Sequence, residues 1–157
     1  LGLNVRHMFL EDVPNDEPQV DAVVSLHLLE HALSPVALLK RARKLLKPDG
    51  LLYLEVPNLE RPETALTEFL QLPHFYNFTA LSLRNVLAKA GFAPRYWKER
   101  TANLSVVASP SDERPIERAD VDALCARLRD HDRLVLLSRV IPNVGPLKKV
   151  RSTIVSM

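Results

Sequence analysis

Val20 to Leu26 reads Val-Asp-Ala-Val-Val-Ser-Leu, a mostly apolar run of strand length. Without polar alternation, it has the look of a strand covered on both faces. Leu51 to Val56 is a second such run, ended by Pro57. Between them the period changes. Leu38, Leu39, Ala42, Leu45 and Leu46 recur at helical spacing. Ser34 stands where it caps that helix, with Pro35 in the first turn, and Arg43, Lys44 and Lys47 favour its carboxyl end. Pro48-Asp49-Gly50 stops it. Strand, helix, strand in this order is a βαβ unit with a parallel pair.

The same pattern extends both ways. Val5 to Leu10 is a short apolar-rich run and predicts another strand; Glu11 to Gln19, acidic and with two prolines, predicts a loop. Pro62 to Leu72 predicts a short, partly helical segment. Thr79 caps a helix with Leu83, Val86, Leu87 and Ala90 on one face. Gly91 stands where a left-handed cap belongs, with Phe92 able to pack back. Ala93 to Lys98 and Leu104 to Ser109 read as a hairpin. Pro110 to Pro115 reads as a linker. Asp120 to Leu137 reads as a helix with Val121, Leu124, Cys125, Leu128 and Val135 as its stripe. The tail from Pro142 fits no single pattern.

Composition narrows the classes. The chain has 157 residues and 46% hydrophobic residues, enough for one packed domain. Net charge is +2 with Lys and Arg scattered, which is no electrostatic footprint for nucleic acid. The single Cys125 excludes an internal disulfide and reads as a small buried side chain in a reducing, cytoplasmic compartment. No apolar run approaches the roughly 20 residues that span a bilayer, so no membrane partner is expected. The four glycines form no Gly-rich strand-to-helix turn.

The candidate chemistry gathers after the first buried strand. His27, Glu30 and His31 lie just past its carboxyl end, where open parallel sheets bind ligands. Their spacing of i, i+3, i+4 puts them on one face of a helical turn. Imidazole and carboxylate are reasonable ligands for a divalent metal.

Asp21-x-Val23 followed by Leu29-Glu30-His31, then Leu46-Lys47-Pro48-x-Gly50 and Val56-Pro57-Asn58, resembles the second half of a class I S-adenosylmethionine-dependent methyltransferase. Phe75-Tyr76-Asn77-Phe78-Thr79, with Ser82-Leu83 and Ala90-Gly91-Phe92, adds to the likeness. The resemblance implies an α/β, Rossmann-like methyltransferase sheet, truncated at the amino terminus and ending in an antiparallel hairpin. Residues 1–109 would hold the family's third to seventh strands, and residues 110–157 a helical extension. The Leu104 strand would insert between its hairpin partner and the Leu51 strand. The family's third strand does not pair with its fourth, so Val5 to Leu10 would float or pair elsewhere. The missing glycine motif implies a fragment that is inactive alone and binds S-adenosyl-L-methionine poorly.

Site roles follow from the same resemblance. Ser25, Leu26 and His27 would sit beside the methionine part of the cofactor, and Phe9 and Leu10 around the adenine. His74 and Tyr76 would be catalytic, in a loop over the substrate mouth, with His74 taking a proton from the acceptor. His31, Asn58 and Asn77 would face a small-molecule or sugar-type acceptor. Some relatives bind a metal through Glu-x-x-Glu-His-x-x-x-His. Here His27 and Pro35 stand at the first and last positions, so no metal is expected. Alternatives read from the residues are that His27 caps the next turn, Phe9 is a core ring, His74 is a surface residue, and Asn58 shapes a turn. Another nucleotide-dependent α/β enzyme, such as a dehydrogenase, and a non-catalytic Rossmann-like binding domain are the rival functions. The sequence leaves the oligomeric state open.

Overall fold

The computed structural model describes residues 2, 5–70, 72–112, 117–118 and 120–140, with side chains described to residue 135. The elements are β1 (Val20–Leu26), α1 (Pro35–Leu45), β2 (Leu46–Pro57), α2 (Leu66–Phe69), α3 (Ala80–Ala90), β3 (Phe92–Lys98), β4 (Asn103–Pro110) and α4 (Val121–Val140). Contacts divide them into two units. One holds Leu1–Arg61 with Leu72–Ala119, the other Pro62–Gln71 with Asp120–Met157.

The first unit is a four-stranded sheet of order β1-β2-β4-β3. β1 and β2 are parallel, and β4 pairs antiparallel with both β2 and β3. The βαβ unit and the inserted hairpin strand are therefore as the sequence predicts. The core explains the order. Leu52, Leu54 and Val56 of β2 pair with Ala108, Val106 and Leu104 of β4, and all six are 0% exposed. Leu38, Leu39, Leu83, Leu87 and Phe92 join the same apolar cluster. Alternate positions Tyr53, Glu55 and Ser105 take the opposite face, because side chains alternate along a strand.

The helix ends follow local chemistry. Ser34 Oγ accepts from the Ala37 amide. Thr79 and Ser82 form a reciprocal capping box. Gly91 closes α3 at φ 85°, a conformation that strains any other L residue, and a Cβ there would also press on the Arg43 side chain at 3.0 Å.

Four expectations need correction. Val5 to Leu10 is not a strand; Val5 and Phe9 are exposed and Leu10 opens a 3-10 turn to Asp12. A strand persists by ladder pairing, and no neighbour among the described residues supplies it there. β1 is not covered on both faces. Val23 packs on the core, whereas Val24 is 63% exposed and Leu26 is exposed with it. β2 begins at Leu46, not Leu51: the register against β1 shifts between Val20 and Ala22, so the Pro48-Asp49-Gly50 turn is a bulge within the strand. Cys125 is exposed. In its unit α4 meets the other segment near its middle, where Asp132 Oδ1 accepts from the Leu66 amide at 2.9 Å and His131 Nε2 lies 3.0 Å from the Thr64 carbonyl. The stripe before that point stays largely open, while Val135 is buried. Most of the expected linker to Pro115, the side chains of α4 past Val135 and the tail from Pro142 lie outside the described residues. No helix among the described residues is long and apolar enough to cross a membrane.

Candidate functional site

β1 ends by leaving the sheet sharply. The His27 amide donates to the Glu55 carbonyl at 2.9 Å, one step beyond the last paired residue. His27 then takes φ 47°, a left-handed conformation that costs a non-glycine residue about 1–2 kcal/mol. The reversal leads into the 3-10 turn Leu29–His31. Leu29 is anchored in the core, and this draws the neighbouring Glu30 under the surface, 1% exposed. Both Glu30 carboxylate oxygens lack a hydrogen-bond partner. The His27 ring lies between two carboxylates, with Nδ1 3.5 Å from Glu30 Oε1 and Nε2 3.5 Å from Glu55 Oε1. Neither contact is a hydrogen bond, and each is an ion pair only when the His27 ring is protonated.

A second segment closes over this turn. His31 Nδ1 lies 2.9 Å from the Pro73 carbonyl, the Tyr76 amide donates to the Glu30 carbonyl at 3.2 Å, and the Tyr76 hydroxyl donates to the Leu33 carbonyl at 3.3 Å. Tyr76 also stacks on the buried Phe78. The loop is therefore docked, and His74 is not a surface residue: it is half-buried, edge-on to His31 with ring centroids 4.8 Å apart. His74 Nδ1 and Asn77 Oδ1 are buried without partners, as is Ser25 Oγ near the end of β1. The structure thus brings Glu30, His31, His74 and Tyr76 together.

Other expected residues fall elsewhere. Asn58 is 1% exposed, its Nδ2 donates to the Glu99 and Thr101 carbonyls, and its Oδ1 accepts from the Glu60 amide. Its amide group is spent on holding the loop between β3 and β4, so the turn-shaping alternative replaces the acceptor role. Phe9 is 77% exposed and is no core ring. Leu10 packs against the core, and its carbonyl accepts from Arg41 Nε at 3.3 Å.

Glu55 escaped the sequence reading, although a lone carboxylate in an apolar strand was a visible signal. Its Oε2 accepts from Ser105 Oγ at 2.9 Å and Tyr53 Oη at 3.1 Å, and its Oε1 accepts from Asn103 Nδ2 at 3.0 Å. The Ser105 hydrogen bond, with help from Tyr53, the His27 charge and Asn103, holds its carboxyl below the ordinary carboxylate value against an opposing effect of burial. A depressed folded-state value means stabilisation that is present above the ordinary 4.5 and lost as pH falls through the folded value. Glu55→Gln is expected to flatten the stability profile in that acid window. Glu55→Ala is expected to cost about 2 kcal/mol, because the buried Ser105 hydroxyl loses its acceptor. Urea midpoints measured from neutral pH into the acid check this; an unchanged profile in Glu55→Gln counts against it.

Known proteins share the fold that carries this site. Residues 2–96 match the family described as methyltransferase domain. The tRNA U34 carboxymethyltransferase of Campylobacter lari is 32% identical over 87 residues, 52% of this chain and 30% of that protein. Human N-acetylserotonin methyltransferase, solved in complex with S-adenosylmethionine, superposes with a TM-score of 0.55 at 19% identity, over 68% of this chain and 33% of that one. Mitomycin 7-O-methyltransferase superposes with a TM-score of 0.54 at 17% identity, over 67% and 33%. At such identities these structures show the fold alone, and the chain spans about a third of the length of these relatives. The family match over more than half of the chain and the β1-β2-β4-β3 sheet agree: this chain belongs to the methyltransferase domain family, with the class I S-adenosylmethionine-dependent fold.

Proposed function

We propose that this chain forms the acceptor side of an enzyme that methylates a small-molecule or sugar-type nucleophile. One observation carries the reading: the docked loop leaves His74 Nδ1 and Asn77 Oδ1 buried without partners, beside the turn that follows β1. Buried polar atoms without partners are uncommon away from binding sites. S-adenosylmethionine, when bound, supplies a methyl group on a sulfonium. Ser25, Leu26 and His27 fit its methionine end, because Ser25 Oγ is buried and unpartnered and β1 stops there. Leu10 and Phe9 are the proposed adenine neighbours.

The residues' own work is alignment and proton removal. The acceptor nucleophile's proton would pass to His74 Nδ1, the buried ring nitrogen that has no hydrogen-bond partner in the protein. Tyr76 positions that ring, since its amide and hydroxyl tie the loop to Glu30 and Leu33. His31 and Asn77 line the acceptor side. The scattered basic residues and the net charge of +2 favour a small acceptor over nucleic acid, and the lone cysteine fits the cytoplasm.

Isothermal titration with S-adenosylhomocysteine tests the reading. The 157-residue chain alone is expected to bind it weakly, because its cofactor-side residues lie on an edge strand without a glycine turn. Binding tighter than about micromolar by the chain alone overturns that expectation. No binding by a form that carries further upstream residues removes the methyl-transfer reading.

A further inference from the structure

We propose that Glu30, His31 and His74 bind one divalent first-row transition-metal cation. One ligand atom from each lies within 4.8 Å of the other two. Proximity alone would not suffice, but each donor is also prepared. Glu30 is 1% exposed with neither carboxylate oxygen hydrogen-bonded. A carboxylate taken out of water without hydrogen bonds is costly unless it is neutralised, and the half-exposed His27 ring at 3.5 Å, shared with Glu55, is the protein group that faces it. A bound cation resolves the cost.

The two histidines present bare nitrogens. The Pro73 carbonyl can only accept, so His31 Nδ1, at 2.9 Å, carries the hydrogen and donates it. That sets the tautomer and leaves Nε2 with its lone pair. A ligating histidine is ordinarily held in this way, by its other ring nitrogen on a backbone carbonyl. His74 Nδ1 is buried with no partner and belongs to a ring edge-on to His31. The turn and the loop that carry these donors are tied together by the Tyr76 amide on the Glu30 carbonyl. In the bound form each donor would stand roughly 2.0–2.2 Å from the ion.

The donor set decides the chemical class. Two imidazole nitrogens and one carboxylate oxygen suit zinc, cobalt, manganese or iron over calcium or magnesium, which prefer oxygen alone. Three protein ligands also leave a position open, as in catalytic sites. This set differs from the one that sequence spacing suggests. His27 drops out, and His74 enters from a different loop.

Cation binding stands independently of the methyl-transfer reading. Where both hold, His74 would serve as a ligand and not as the proton acceptor.

The test uses the 157-residue chain stripped with chelator, then titrated with cobalt(II) while visible absorption is recorded, and with zinc(II) by calorimetry. One equivalent is expected to bind, with ligand-field bands in the cobalt form and a raised thermal midpoint. His74→Ala and Glu30→Gln are each expected to weaken binding at least about tenfold. His7→Ala, at an exposed histidine outside the cluster, is expected to change nothing. If Glu30→Gln fails to fold by circular dichroism, His74→Ala, in a loop, carries the test alone. Absence of saturable binding overturns the proposal. So does wild-type affinity in His74→Ala, or equal loss in His7→Ala, which marks adventitious surface binding.

Discussion

Leu54→Ala is expected to destabilise the sheet unit by about 3–4 kcal/mol. Leu54 is 0% exposed on β2, where it faces Val106 of β4 within the apolar cluster. Truncation removes its transfer free energy and leaves a cavity that a paired central strand cannot collapse to fill. Against a typical total of about 5–15 kcal/mol, that is a large share. Val24→Ala is the control. It lies on the neighbouring strand β1, is 63% exposed, and is expected to cost less than about 1 kcal/mol. Urea denaturation of both variants measures the contrast, provided the slopes agree. Equal costs would mean that helices do not cover the Leu54 face, contrary to the packing described.

His74→Ala is expected to lower turnover by about 10²–10⁴-fold while leaving cofactor affinity nearly unchanged. The ring belongs to the docked loop and presents a buried, unpartnered Nδ1, whereas the proposed cofactor contacts are at the end of β1 and at Phe9 and Leu10. A residue that meets only the acceptor changes the rate of methyl transfer and not the grip on the sulfonium. Turnover with the true acceptor and S-adenosylhomocysteine affinity need to be measured side by side. Unchanged turnover leaves His74 without a catalytic part, and equal loss of both makes it structural. Chelation separates its two chemical roles. A wild-type rate that survives stripping of metal assigns His74 as the proton acceptor, and a rate that collapses and returns with added cation assigns it as a ligand.

The expectations that held are local or nearly so. Ser34, Thr79 and Gly91 act within a turn of their own helix, so short-range hydrogen bonding and backbone freedom settle their conformation. The helical stripe of α1 buries as the periodicity predicts, whereas the Leu51 to Val56 run of β2, read as covered on both faces, buries only Leu52, Leu54 and Val56 and leaves Leu51 exposed. The order of the hairpin strands came from resemblance, because periodicity says nothing about which strand a hairpin joins.

By itself, then, the sequence determined the βαβ unit, the capped helices, the closing hairpin and the position of the Leu-Glu-His turn after β1. Each depends on neighbours a few residues away, whose spacing is visible in one dimension. The tertiary structure decided the rest. It left one face of β1 open and Val5 to Leu10 unpaired, because strand burial and pairing depend on what other chain segments supply. It spent Asn58 on the Glu99 and Thr101 carbonyls, and joined Glu55 to Asn103 and Ser105, 48 and 50 residues away. It set His74 against Glu30 and His31, where a buried carboxylate, a half-buried imidazole and an exposed one from two loops meet. Such contacts carry no periodic signature, since chain folding alone brings their partners together.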